Sequence, residues 1–233
     1  TNHTISVKAW RLPKNASRKD VREALVEMRK VLIEKCVVLC NKENVRLLLD
    51  EARNLAMLST PPYGWMFYDP GDELKKLFFK YSDIVCNFTV ITLLPYNDSF
   101  NSKGHSRLDF ALAHDALRLV TKSYRLVQRG AEEAGINVTD ETIRNEMSRA
   151  ILNNMERGLT GMLEFNSLGH RRNFSLTITA VTGSDTYTRG HWLGLDTAHG
   201  TRLKLYKEKH HGNRSSSFPL RGRTAKVVMI EER

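Results

Sequence analysis

Cys36-Val-Val-Leu-Cys40 runs without a break into Asn41-Lys-Glu-Asn-Val45-Arg-Leu-Leu48-Leu49-Asp-Glu-Ala52, and the change of period between the two halves decides the fold. Five consecutive apolar residues mark a strand buried in a sheet. From Asn41 onward Val45, Leu48, Leu49 and Ala52 recur at i, i+3, i+4 and i+7, which lines them along one face of a helix that Asn41 caps. That helix is expected over Lys42 to Leu58, ahead of Pro61 and Pro62. The same pair of elements precedes it. Ile5 to Trp10 reads as a strand, and Ser17 with Asp20 opens a helix over Asp20 to Lys30 whose Val21, Ala24, Leu25 and Met28 share a face. Gly64 to Tyr68 follows as a short strand. Strand and amphipathic helix in alternation describe βαβ units, hence an α/β fold with parallel sheets flanked by helices.

Further on, a strand is expected around Ile84 to Leu94, a polar loop over Pro95 to His105 and a long helix from about Leu108 to Gln128. A second helix starts at a Thr139 or Asp140 cap, carries Ile143, Met147, Ala150 and Ile151 on its apolar face, and stops at Gly158. Phe174, Leu176, Ile178 and Ala180 alternate with Ser175, Thr177 and Thr179, the period of a strand with one buried face. Lys207 to Ser217 is compositionally loose and reads as a linker.

The chain has 233 residues, 41% of them hydrophobic, enough to bury a core. No run approaches the roughly 18 apolar residues of a membrane span. Thr1 onward has neither an initiator methionine nor a signal-peptide pattern, as expected of an internal fragment. A net charge of +10 raises nucleic acid as a partner. Its densest basic stretch, Arg202 to Lys226, contains the Gly212 to Ser217 loop and no aromatic stacking platform, so it reads as a solvated linker and no nucleic-acid partner is expected. Cys36 and Cys40 share a strand face about 13 Å apart, too far for a disulfide or a common metal ion. They read as core thiols, and Cys86 is left over. Asn2, Asn15, Asn87, Asn97, Asn137, Asn173 and Asn213 each begin an Asn-x-Ser/Thr sequon, against roughly two expected by chance in this composition. The excess points to the secretory route, with Asn15, Asn97 and Asn137 the best-placed acceptors.

His191, His199, His210 and His211 lack the fixed geometry of a metal site, and neither metal nor cofactor is expected. Phosphate-binding, nucleophile-elbow and zinc-hydrolase motifs are all missing, which disfavours an enzyme. Asp109 and Asp115, six apart on the long helix, read as surface or cap residues rather than an acid–base pair. Gly158-Leu-Thr-Gly161, ahead of Met162-Leu-Glu-Phe165-Asn166, reads as a helix stop, a tight turn and a strand start.

Taken together, these segments resemble the amino-terminal domain of kainate-type ionotropic glutamate receptors, within the type I periplasmic-binding-protein-like superfamily. Val7-Lys-Ala-Trp-Arg-Leu-Pro13 with Leu25 to Lys30 is similar to the family's strand, Leu-Pro turn and helix, and Met28 to Leu58 matches without a gap. Leu108 to Val120 resembles the helix with a Tyr-Asp-Ala-Val motif, with Asp115 and Ala116 aligned. Gly158-Leu-Thr-Gly161, Phe165-Asn166 and Arg171-x-x-Phe174-x-Leu176 form the most specific block. Trp192 with Gly200 resembles the end of the domain, and Arg223 to Glu232 resembles the first strand of the adjoining agonist-binding domain. Arg233 stands where the family carries proline.

The resemblance implies a bilobed clamshell lacking its first half. Residues 1–206 would be a partial amino-terminal domain, mostly its second lobe, with a crossover segment of the first near 105–157. Residues 207–223 would be a linker and 224–233 the start of the agonist-binding domain. It also implies a non-catalytic role in subunit assembly and gating modulation, other receptor subunits as partners in a dimer of dimers, and the extracellular side of a cell membrane, postsynaptic in the family. Glutamate is not expected to bind these residues. A natriuretic-peptide-type receptor ectodomain of the same superfamily is the alternative.

Overall fold

A computed structural model describes residues 5–59, 63–81, 88–94, 107–135, 139–182, 185–194, 201–206 and 225–232. The chain forms β1 (Ile5–Leu12), α1 (Arg18–Lys30), β2 (Lys35–Leu39), α2 (Lys42–Asn54), β3 (Gly64–Tyr68), α3 (Lys75–Phe78) and β4 (Phe88–Thr92). The helices α4 (Arg107–Glu133) and α5 (Asp140–Asn153) follow, then β5 (Glu156–Gly158), β6 (Gly161–Phe165), β7 (Arg171–Arg172), β8 (Phe174–Thr182), β9 (Asp185–Gly194), β10 (Thr201–Leu205) and β11 (Ala225–Glu232). One eight-stranded sheet has the order β1-β11-β2-β3-β4-β8-β9-β10, and β5-β6-β7 make a second. Pairing is parallel from β1 through β11, β2 and β3 to β4, and antiparallel between β9 and β10. The fold is therefore mixed α/β, with a large and mostly parallel sheet flanked by helices. Among the described residues no helix is long and apolar enough to cross a membrane.

Two compact units divide the chain. The first comprises Thr1–Thr92, Ile178–Arg189 and Tyr206–Arg233, the second Leu93–Thr177 and Gly190–Leu205. In the first unit the periodic residues do what their spacing dictates. Ser17 and Asp20 form a reciprocal capping box at the start of α1, and Val21, Ala24, Leu25 and Met28 are buried. Asn41 caps α2 through the Asn44 N–H, and Val45, Leu48, Leu49 and Ala52 are buried. These side chains meet alternate strand residues: Leu12, Ile230, Cys36, Val38, Trp65, Phe67, Phe88 and Val90 all belong to one core. Burying each large aliphatic side chain contributes about 1.5 to 3 kcal/mol, so Leu25→Ala would cost several kcal/mol. Cys36 is buried and Cys40 half-buried, both as thiols, and burial pushes the Cys36 thiol well above its ordinary value.

Two buried polar side chains tie the helices together. Asn44 donates to the carbonyls of Pro13 and Lys14 at 3.0 and 3.2 Å and accepts from the Ala16 N–H at 3.3 Å, fixing the turn after β1 to the start of α2. Glu51, 1% exposed, takes Arg22 at 3.1 Å, Arg18 at 3.4 Å and Asn54 at 3.1 Å. A buried carboxylate needs such compensation, since desolvation alone costs several kcal/mol.

Four expectations need correction. The helix α2 ends at Asn54, short of Leu58, because Ala56 (φ 57°) turns the chain into the left-handed region and Met57 donates back to Ala52 at 2.8 Å. Gly158 does not stop a helix: α5 ends at Asn153, and Gly158 closes strand β5. Thr179, Ala180 and Val181 are consecutive buried residues, so that end of β8 is covered on both faces. Asp115 is buried rather than superficial. The last strand, β11, lies between β1 and β2 in the sheet.

Candidate functional site

From Ala111 to Ser123 every fourth residue of α4 is buried: Ala111, Asp115, Leu119 and Ser123. An i, i+4 row is one face of a helix, and alanine and serine keep its ends shallow, so neighbouring backbone approaches closely. Within the second unit, the hairpin of β5 and β6 meets this face. Gly158 and Gly161 pair across it, leaving Leu159 and Thr160 as a two-residue turn, with Gly161 at φ 102°. Such a turn leaves successive N–H groups pointing the same way, a concavity suited to an anion.

Asp115 supplies that anion. Its side chain is 3% exposed. Oδ1 accepts from the Leu159 N–H at 2.6 Å, and Oδ2 from the Thr160 N–H at 2.9 Å and the Thr160 hydroxyl at 2.7 Å. The His114 ring lies 3.3 Å from Oδ1. A Cβ at Gly158 would fall inside the carboxylate, so the glycine is required for close approach rather than for its dihedral freedom.

Arg171 closes the far side of the turn. It donates to Met162 O at 3.0 Å, Thr160 Oγ1 at 2.8 Å and Thr160 O at 2.9 Å. The Thr160 hydroxyl thus donates to Asp115 and accepts from Arg171, using both its capacities. Burial raises the Asp115 pKa, but the bonds from Thr160, Leu159 and His114 outweigh it and hold the carboxyl below the usual aspartate value. Burial lowers the Arg171 pKa while the Asp115 charge supports it. Around the cluster, Glu156 is held ionised by Lys122 and Arg118, and Glu164 pairs with Arg172 at 2.7 Å and accepts from the Asn173 amide. A carboxylate engaged by three turn donors is a poor proton acceptor. Asp115 is therefore a fastening between helix and hairpin, and its chemistry is positional.

The structure thus joins residues that stand far apart in sequence: Asp115, Gly158 to Gly161 and Arg171. No protein-family model matches this chain, and no curated protein does. Of the candidate acceptors, Asn15 is exposed in the turn after β1, where its sequon partner Ser17 caps α1. Asn173 is exposed at φ 54°, with its amide nitrogen donating to Glu164. Asn2, Asn87, Asn97, Asn137 and Asn213 lie outside the described residues, as do Cys86, His199, His210 and His211. His191 sits on β9, 3.4 Å from the Thr177 hydroxyl. Among the described residues no group of three His, Cys, Asp or Glu side chains could hold a metal ion. The role of Asp115 had one sequence signal, its place in the Ala111, Leu119, Ser123 row. Glu51 and Asn44 had none beyond lying on the apolar side of α2.

Proposed function

We propose that this chain is an extracellular portion of an ionotropic glutamate receptor subunit, similar to the kainate type, drawn from the amino-terminal domain. The observation that carries this is the Asp115 cluster. The helix aspartate and the block that holds the Gly-Leu-Thr-Gly turn and the following arginine resemble the family as two separate motifs, yet they form one hydrogen-bonded unit. Two coincidental matches have no reason to touch one another. The mixed α/β fold, and a chain that passes repeatedly between two compact units, also support the type I clamshell.

In this role the chain is non-catalytic. It contributes to pairing with other receptor subunits and to gating on the extracellular side of the membrane, and glutamate is bound elsewhere in the subunit. Secretion from cultured cells followed by glycosidase treatment and calorimetric titration tests it. A mass loss on deglycosylation and a flat glutamate titration are expected. Unchanged mass would remove the extracellular placement, and saturable micromolar glutamate binding would overturn the domain assignment.

A further inference from the structure

The strands β1, β11, β2, β3 and β4 are parallel neighbours in that order. The crossover from β1 through α1 to β2 therefore skips one strand position, and the strand that fills it arrives from the other end of the chain. Counted with β11 first, the order becomes 2-1-3-4-5, that of a flavodoxin-like doubly wound sheet. β11 takes the place of the first strand of such an order, and in sequence it follows the other four.

The filling is specific. β11 pairs with β1 from Ile5↔Ala225 to Leu12↔Glu232, and with β2 from Lys35↔Val227 to Leu39↔Glu231. Ile230 is fully buried in the core, its carbonyl lies 3.6 Å from Cys40 Sγ, and Glu231 pairs with Arg11. Among the described residues β1 lies at the edge of the sheet with β11 as its one strand neighbour, whereas β2, β3 and β4 pair without it.

We propose that the position between β1 and β2 is a strand-acceptor site: β11 fills it as a separable piece, and the same segment, Ala225–Glu232, from a second copy of the chain can take its place. Two backbone edges supply affinity, and the Ile230 pocket and Arg11 supply register, as in recognition by strand addition. Exchange of an identical element between copies needs no new contacts. This holds whether or not the receptor assignment does.

The test uses the full chain carrying Met229→Pro and Ile230→Asp, which removes a ladder N–H and sets a charge in the pocket, together with a fluorescent peptide of residues 224–233. In the variant, hydrogen exchange should show β1 losing protection at least tenfold while α2 and β3 keep theirs. The peptide should bind it one to one and restore β1 protection. It should bind the unaltered chain, whose site is filled, at least tenfold more weakly, and a peptide with Ile230→Asp should not bind the variant. Loss of α2 and β3 protection together with β1 would show β11 to be inseparable from the fold. Retained β1 protection, absent peptide binding, or equal binding of the altered peptide would each overturn the proposal.

Discussion

Replacing Asp115 by asparagine removes a charge while keeping the volume, so its effect isolates the bonds between α4 and the hairpin. The amide oxygen can keep the Leu159 N–H. The NH2 group takes the place of Oδ2, the atom that accepts from both the N–H and the hydroxyl of Thr160. One buried N–H then faces another donor, at about 1 to 3 kcal/mol, and the remaining bonds lose their charge assistance. The sum is on the order of 3 kcal/mol, or roughly a hundredfold in an opening equilibrium. Hydrogen exchange of peptides spanning residues 156–165 should show that loss of protection at pH 7. Because the Asp115 carboxyl is held below its usual value, its stabilisation is complete above the ordinary aspartate pKa, about 4, and lost as pH falls through the folded value. The variant has no such loss, so the two proteins should begin to approach each other below about pH 4 and converge once pH has fallen past the lower, folded value of Asp115. A change in protection under fivefold at pH 7 would refute the assigned role of Asp115.

Gly158→Ala should cost at least about 2 kcal/mol in urea unfolding, because the methyl must displace the Asp115 carboxylate. Combined with Asp115→Asn it should cost less than the two separately, and strict additivity would mean the groups are not in contact. Ala56→Gly should raise the urea midpoint, through about 0.5 to 1 kcal/mol of added stability, because Ala56 sits at φ 57° after α2 and glycine bears that conformation without strain; a lower midpoint would contradict this. Glycopeptide mapping of secreted protein should find Asn15 occupied and Asn173 largely unoccupied, since the Asn173 amide is already committed to Glu164; full occupancy at Asn173 would contradict that bond.

The first unit was legible because its information is local. The Ser17 and Asn41 caps and the four-residue apolar stripes of α1 and α2 are set by 3.6-residue periodicity, and they appear in the structure where that periodicity puts them. What was misread depends on distant partners. Asp115 is polar, and polar residues are exposed by default; only the hairpin some 44 residues later makes its burial tolerable. Gly158 looks like a helix terminus until the carboxylate above it is known. Ala56 carries no glycine signal, yet it terminates α2. The pairing of β11 with β1 joins the two ends of the chain, and strand periodicity says nothing about which neighbour a strand will choose.

The receptor assignment is tested most directly by sequencing the transcript on both sides of the segment encoding this chain. The reading frame is expected to continue past Arg233 into an agonist-binding region and then a pore-forming segment. A frame that instead continues into an unrelated catalytic domain would contradict it.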